Sequence, residues 1–190
     1  MKCYVIDEAG VNHNGSDDLA LQLVDTAASA GADAVKFQTF KAASLVTKGA
    51  ATADYQKQQT GSDDQYSMLK QLEMSDALHH KLIDRCQQNN IEFMSTPFDI
   101  EAAKFLLHLG MRRLKVPSGE LTNLPLIREL TALNTPMILS TGMASMNEVI
   151  EAVDVIVEVR DQKGFDEPLI EMLTILHCTS NYPAKIEDVN

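Results

Sequence analysis

The sequence predicts an α/β fold, a TIM-type (β/α)8 barrel of which it holds about six βα units. Three observations predict it. Six short β-prone runs alternate with stretches of helical periodicity, which is the rhythm of a parallel sheet. The runs end in polar residues, as barrel strands do where they build a site. No GxGxxG turn follows any of them, so the rival, a doubly wound open sheet holding a dinucleotide, lacks its main support.

Taken in order, the β-prone runs are residues 3–7, 34–38, 92–95, 113–116, 137–140 and 173–178. The helices between them carry start signals. Ser62-Asp-Asp-Gln65 and Ser145-Met-Asn-Glu148 are capping boxes, in which the Ser oxygen and the acid or amide satisfy orphan backbone donors. Asn123 ahead of Leu124-Pro125 is a cap with proline in the first turn. Apolar stripes recur every three or four residues at Leu19, Leu23 and Ala27, at Leu78 and Leu82, at Phe105 and Leu109, and at Val149, Val153 and Ile156, and are expected to pack on the outside of the sheet. Gly31 and Gly110 stand where helices should end. Residues 41–64 break the rhythm with a long polar connection, a length that marks a functional or disordered segment. A closed barrel takes about 250 residues. The chain has 190, so it is expected to be one domain, residues 1–190, and an incomplete barrel.

Composition narrows the function. At 45% hydrophobic residues the chain can bury a sizeable core, and its formal charge of −11 opposes nucleic acid and acidic membrane surfaces. A bound anion must be captured by a few local cations. No apolar run approaches the roughly 20 residues of a membrane helix, and the acidic start is unlike a signal peptide, so a cytoplasmic location is expected. Cys3, Cys86 and Cys178 are odd in number and far apart, which argues for reduced, buried thiols and against disulfides or a zinc knuckle.

The strand ends carry the chemistry. Glu8 stands at the first rim, ahead of an Asn12–Gly15 loop whose Asn-Gly is a turn signal. Period-2 alternation points Lys36 and Gln38 to one face of the second strand, the barrel interior, where an unpaired ammonium costs several kcal/mol. Its alternative role is an ion pair with a neighbouring carboxylate. Ser95 and Thr96 offer hydroxyls at the third rim. Lys115 and the Ser118-Gly119 backbone at the fourth form an anion cradle, and Glu120 adds a carboxylate at the same rim whose alternative role is to neutralise a lysine. Two lysines facing one cavity would repel unless an anion lay between them. Ser140 and Thr141 precede a flexible Gly142 at the fifth rim. His177 lies in the sixth run, as a core histidine or a ligand, and Tyr182 beyond it could cap a sugar ring.

Glu8-Ala-Gly-Val-Asn-His-Asn-Gly, Val35-Lys-Phe-Gln-Thr, Ser95-Thr-Pro-Phe, Lys115-Val-Pro-Ser-Gly-Glu, Ile138-Leu-Ser-Thr-Gly-Met and His177-Cys-Thr-Ser-Asn-Tyr-Pro, in that order, resemble the N-terminal barrel of the sialic-acid synthase family across essentially the whole chain. The resemblance implies a metal-dependent condensation of phosphoenolpyruvate with an N-acetylated mannose-type amino sugar, giving a nine-carbon 2-keto sugar acid and phosphate. It assigns Lys36, Thr96, Lys115, Ser118, Ser140 and Ser180 to phosphoenolpyruvate, and Gln38, Asn181 and Tyr182 to the sugar. Glu8 handles the sugar aldehyde and developing charge, and Glu120 lies near the carbon 2 cation.

It further implies a divalent metal, manganese, whose histidine ligands are expected beyond Asn190 so that no metal ligand is assigned within residues 1–190. A C-terminal antifreeze-like domain, also expected beyond Asn190, supplies an arginine across a domain-swapped homodimer. Thr179-Ser-Asn-Tyr-Pro is similar to the legionaminic and pseudaminic acid synthases, whose substrates are diacetamido trideoxy sugars. Two other readings of the same strand ends are a Schiff-base lysine aldolase and a non-catalytic module that binds a phosphorylated ligand.

Overall fold

Short, mostly buried runs interrupted by a few polar residues form the parallel strands. The computed structural model describes residues 3–46, 65–179 and 184–189, and the chain divides into two units, Met1–Ala102 and Ala103–Asn190. In the first, β1 (Ile6–Gly10), β2 (Ala34–Thr39) and β3 (Glu92–Pro97) pair in parallel in that order. Helices α1 (Asp17–Ser29), α2 (Ala42–Leu45), α3 (Gln65–Leu72) and α4 (Asp76–Gln88) connect them. Helix α5 (Ile100–His108) carries the chain into the second unit. There β4 (Leu114–Val116), β5 (Met137–Ser140) and β6 (Leu173–Leu176) repeat the parallel 1-2-3 order. Its helices are α6 (Leu124–Thr131), α7 (Met146–Lys163) and α8 (Leu169–Met172), with 3₁₀ turns at Ser118–Glu120 and Ile186–Asp188. The fold class is α/β, a succession of βα units with a three-stranded parallel sheet in each of the two units. No helix among the described residues is long and apolar enough to cross a membrane.

The helix signals act locally as written. Ser145 and Glu148 complete their capping box, and the Asn123 side chain accepts from the Leu126 amide. Gly31 and Gly110 follow α1 and α5 with positive φ. Ser62 and most of the long polar connection lie outside the described residues. Its first residues form α2, whose Ala42 amide donates to the Glu73 carboxylate at 2.6 Å; Lys70 donates to the same carboxylate at 2.7 Å.

Three expectations are corrected. Strand β1 begins at Ile6 rather than Cys3, because Tyr4 and Val5 are exposed and register with β2 starts at Ile6. The buried stripe of α1 is Ala20, Val24 and Ala27, with Leu19 exposed, and that of α5 is Ala103 and Leu106. In α7, Ala152, Val155, Ile156 and Val159 are buried while Val149 and Val153 are half-buried. Finally, the three cysteines are all free thiols, but only Cys86 is buried, and burial pushes its thiol up to about 12.

Odd-numbered residues of β2 face the helices. Val35 and Phe37 are fully buried with Leu82 of α4, and the rings of Phe37 and Phe93 stack at 6.1 Å. Thr39, on the same face, opens a buried polar chain: its hydroxyl lies 2.9 Å from His79 Nε2 and 2.7 Å from Ser95 Oγ. His79 Nδ1 sits 2.8 Å from the Ser75 carbonyl, which can only accept. Nδ1 therefore carries the ring proton, Nε2 accepts from Thr39, and Thr39 accepts from Ser95. Ser95 thus belongs to the helix side of β3, correcting its expected place at the rim.

Burial pulls His79 below the ordinary 6.5, against the Ser75 carbonyl and Asp76, which raise it. A depressed histidine binds its proton in the unfolded chain first. Its contribution is complete above the ordinary 6.5 and is lost as pH falls from there through the folded value. The denaturant midpoint should therefore drop between pH 7.5 and about 5.5, and His79→Phe should make that drop shallower; an identical slope in the variant would refute the assignment.

Candidate functional site

The opposite face of the first sheet is polar. Parallel register sets Glu8 beside Lys36 and Gln38 beside Thr96, and period-2 alternation gives all four side chains one face. Lys36 is only 7% exposed. Its ammonium is ion-paired with the Glu8 carboxylate and donates to Thr96 Oγ1 at 3.2 Å. The expectation that Lys36 needs an anion to justify its burial is corrected here, since Glu8 already supplies the charge. Glu8 lies within β1 rather than past its end, and its side chain remains half exposed, which leaves it open to a ligand.

Gly10 explains how both side chains fit. The register slips between Glu8 and Gly10, where Gly10 has φ +53°, a conformation that favours glycine. A Cβ at Gly10 would stand 3.3 Å from Glu8 Oε1 and 3.7 Å from Gln38 Nε2, so the bulge leaves the carboxylate and the amide room.

The second sheet repeats the device. Lys115, also 7% exposed, aligns with Ile138, and its ammonium donates to Ser140 Oγ at 2.5 Å and to the Val116 carbonyl at 3.1 Å. In both sheets the lysine reaches a hydroxyl two residues beyond its register partner on the next strand: Thr96 beyond Met94, and Ser140 beyond Ile138. Each hydroxyl accepts from an ammonium that has only donors, so its own hydrogen remains to be given. Ser118 opens the 3₁₀ turn after β4 and accepts from the Gly142 amide at 3.0 Å. Glu120 ends that turn and accepts from the Asn123 side-chain amide at 2.7 Å. Thr141, by contrast, spends its hydroxyl on the Leu176 carbonyl at 2.8 Å.

The first sheet thus brings together Glu8, Lys36, Gln38 and Thr96, and the second Lys115, Ser118 and Ser140. Ser180, Asn181 and Tyr182 lie outside the described residues. His177 is exposed and stands just past β6, which corrects its expected place inside the strand. Among the described residues no group of three or more His, Cys, Asp or Glu side chains can hold a metal ion.

The sequence reading passed over His13. Fully buried, it accepts from the Gly15 amide through Nδ1 at 3.1 Å, while Nε2 has no hydrogen-bond partner. Burial lowers its pKa, with Asp17 opposing. An isolated histidine beside an Asn-Gly turn carries no periodic signal of burial, which is why it reads as loop.

The chain is similar to several known proteins. N,N'-diacetyllegionaminic acid synthase of Legionella pneumophila is 48% identical over 191 residues, covering all of this chain and 52% of the relative. The protein of the same name from Campylobacter jejuni is 43% identical, covering all of this chain and 55% of the relative. Among solved structures, the N-acetylneuraminic acid (sialic acid) synthetase of Leptospira borgpetersenii, in complex with citrate, matches with a TM-score of 0.80 at 29% identity. That match covers all of this chain and 59% of the other. The chain spans about half the length of the curated relatives it matches. The NeuB family model matches residues 23–190, and the chain, its strand ends carrying the paired lysines and hydroxyls of both sheets, belongs to the NeuB family.

Proposed function

We propose that the complete protein condenses phosphoenolpyruvate with an N-acetylated mannose-type amino sugar, releasing phosphate and a nine-carbon 2-keto sugar acid. The observation that carries this reading is the repeated device at the strand ends, a buried lysine bonded to a hydroxyl on the next strand. Family membership supplies the reaction. Carbon 3 of phosphoenolpyruvate attacks the open-chain aldehyde, water adds at carbon 2, and phosphate departs. Fixed cations and hydroxyls stabilise the charge that moves onto phosphate as the bond breaks.

In this reading Lys36 and Thr96 of the first unit, and Lys115, Ser118 and Ser140 of the second, serve the phosphate and carboxylate of phosphoenolpyruvate, with Ser180. Gln38, Asn181 and Tyr182 serve the sugar. Glu8 steers the aldehyde, and Glu120 attends the carbon 2 cation. Both curated relatives named above are N,N'-diacetyllegionaminic acid synthases, which favours a diacetamido trideoxy sugar. A divalent metal, manganese, a domain-swapped homodimer and a cytoplasmic location belong to the same reading. The roles assigned to this chain are those of its own cations, hydroxyls and carboxylates.

The direct test is phosphate release from phosphoenolpyruvate by the full-length protein with manganese, against a panel of N-acetylated mannose-type sugars; no release with any of them would sink the reading. Borohydride trapping of a covalent lysine adduct with pyruvate would replace it with a Schiff-base aldolase. Lys115→Ala should raise the KM for phosphoenolpyruvate at least tenfold, because a hydrogen bond to a charged group contributes about 1.5–3 kcal/mol, with the circular dichroism spectrum unchanged. Unaltered kinetics would remove Lys115 from the anion site. Glu8→Gln should instead lower kcat by roughly 10²-fold, and a normal turnover number would count against its role.

A further inference from the structure

A glycine at the end of a barrel strand invites the reading that its bare backbone admits a ligand. Gly142 does something else. Its amide donates to Ser118 Oγ at 3.0 Å, across from the turn that follows β4, and the residue itself is buried. A Cβ at this position would stand 3.0 Å from Ser118 Oγ, 3.3 Å from Cys178 Cβ and 3.3 Å from the Thr179 carbonyl oxygen. Three groups from two neighbouring segments close over the place where a side chain would begin.

The amide bond has a chemical consequence for Ser118. A seryl hydroxyl has one hydrogen to donate and lone pairs to accept with. An amide N–H can only donate, so the bond takes up one of the oxygen's lone pairs and leaves the hydroxyl hydrogen to point elsewhere. Ser118 is half-buried and keeps access to a ligand. Ser140, two residues before Gly142, is held in the same sense by Lys115 at 2.5 Å. Two hydroxyls, Ser140 at the end of β5 and Ser118 after β4, thus each accept from a donor of the protein, one the Lys115 ammonium and one the Gly142 amide, and both hydroxyls are left as donors. Donors of this kind suit an anion's oxygens, and a fixed orientation spares the rotor entropy that a free hydroxyl loses on binding.

We propose that Gly142 is a positioning residue whose backbone amide holds the Ser118 hydroxyl as a hydrogen-bond donor toward the phosphate or carboxylate of the bound anion, and that the absence of a Cβ there is what lets Ser118 approach. This rests on the condensation reading for the identity of the anion, but the Gly142–Ser118 bond itself does not. Gly142→Ala displaces the Ser118 oxygen by a few tenths of an ångström and tilts its hydrogen away from the anion.

The test is a double-mutant cycle in the full-length protein, with phosphoenolpyruvate affinity read by titration calorimetry for the parent, Ser118→Ala, Gly142→Ala and the double variant. Ser118→Ala and Gly142→Ala should each weaken binding roughly tenfold. In the Ser118→Ala background the glycine substitution should change affinity by less than about twofold, because the oxygen it displaces is gone. The same loss from Gly142→Ala in both backgrounds, or no loss in either, overturns the proposal while leaving the anion reading of Ser118 intact. A parent protein that fails to bind phosphoenolpyruvate removes the condensation reading instead.

Hydrogen exchange at the Gly142 amide, read by NMR, tests the bond without any substitution at Gly142. Ser118→Ala should speed that exchange at least tenfold, and unchanged protection overturns the proposal whether or not Gly142→Ala folds.

Discussion

An ammonium on a strand whose two faces are both covered must be met by polar atoms, because leaving it unpaired costs several kcal/mol. Parallel sheets make this constraint sharp, since their strands are buried on both sides and otherwise read as apolar runs. Lys36 and Lys115 meet it in the same way. Each leans toward the C-terminal end of its sheet and finds a hydroxyl two residues beyond its register partner on the next strand. The offset follows from the lean: a long side chain rising along the strand direction overtakes its level neighbour and arrives at the next residue on that face, two positions on. The position of Thr96 and Ser140 is therefore dictated by the lysines, and the strand ends become polar for a structural reason that also readies them for anion chemistry.

Much of this was legible in the sequence because period-2 alternation is a strong signal when a lysine interrupts it. The spacing of Lys36 and Gln38 identified the polar face of β2, and five of the six strands begin within a residue of where the alternation placed them. What could not be read was phase. Leu19, Leu23 and Ala27 have helical spacing, yet Ala20 and Val24 turn inward, because a run with apolar residues at adjacent positions fits the helical period in more than one rotation. The same ambiguity separated Ser95 from Thr96. Adjacent hydroxyls on a strand necessarily face opposite sides, but only the partners, His79 on one side and Lys36 on the other, reveal which hydroxyl serves the core and which the site; Ser95 reaches His79 through Thr39.

Tertiary ties escaped the sequence for a different reason. The Gly10 bulge, the buried His13 and the contact of Gly142 with Ser118 each depend on a neighbour distant in sequence, and none has a periodic signature. Glycines and isolated histidines read as turns by default. At all three positions that default conceals a packing constraint, and two of the three border residues with assigned roles.

The ion pair between Glu8 and Lys36 bears on how a dianion could bind beside Lys36. With net charge −11 the protein attracts no anion from a distance, so capture depends on local cations. Lys36 is already neutralised by Glu8. An arriving phosphate or carboxylate would meet a like charge within a few ångströms, a repulsion of about 4 kcal/mol at an effective dielectric near 20. Two routes relieve it. The Glu8 carboxylate, half exposed, can swing off the ammonium, or it can stay and be met by a second cation arriving with the other reactants. The first route makes the ion pair a placeholder that keeps Lys36 buried and charged while the site is empty. The second makes Glu8 part of the charged centre itself, and the two differ in whether removing its charge would tighten or weaken binding of the anion alone.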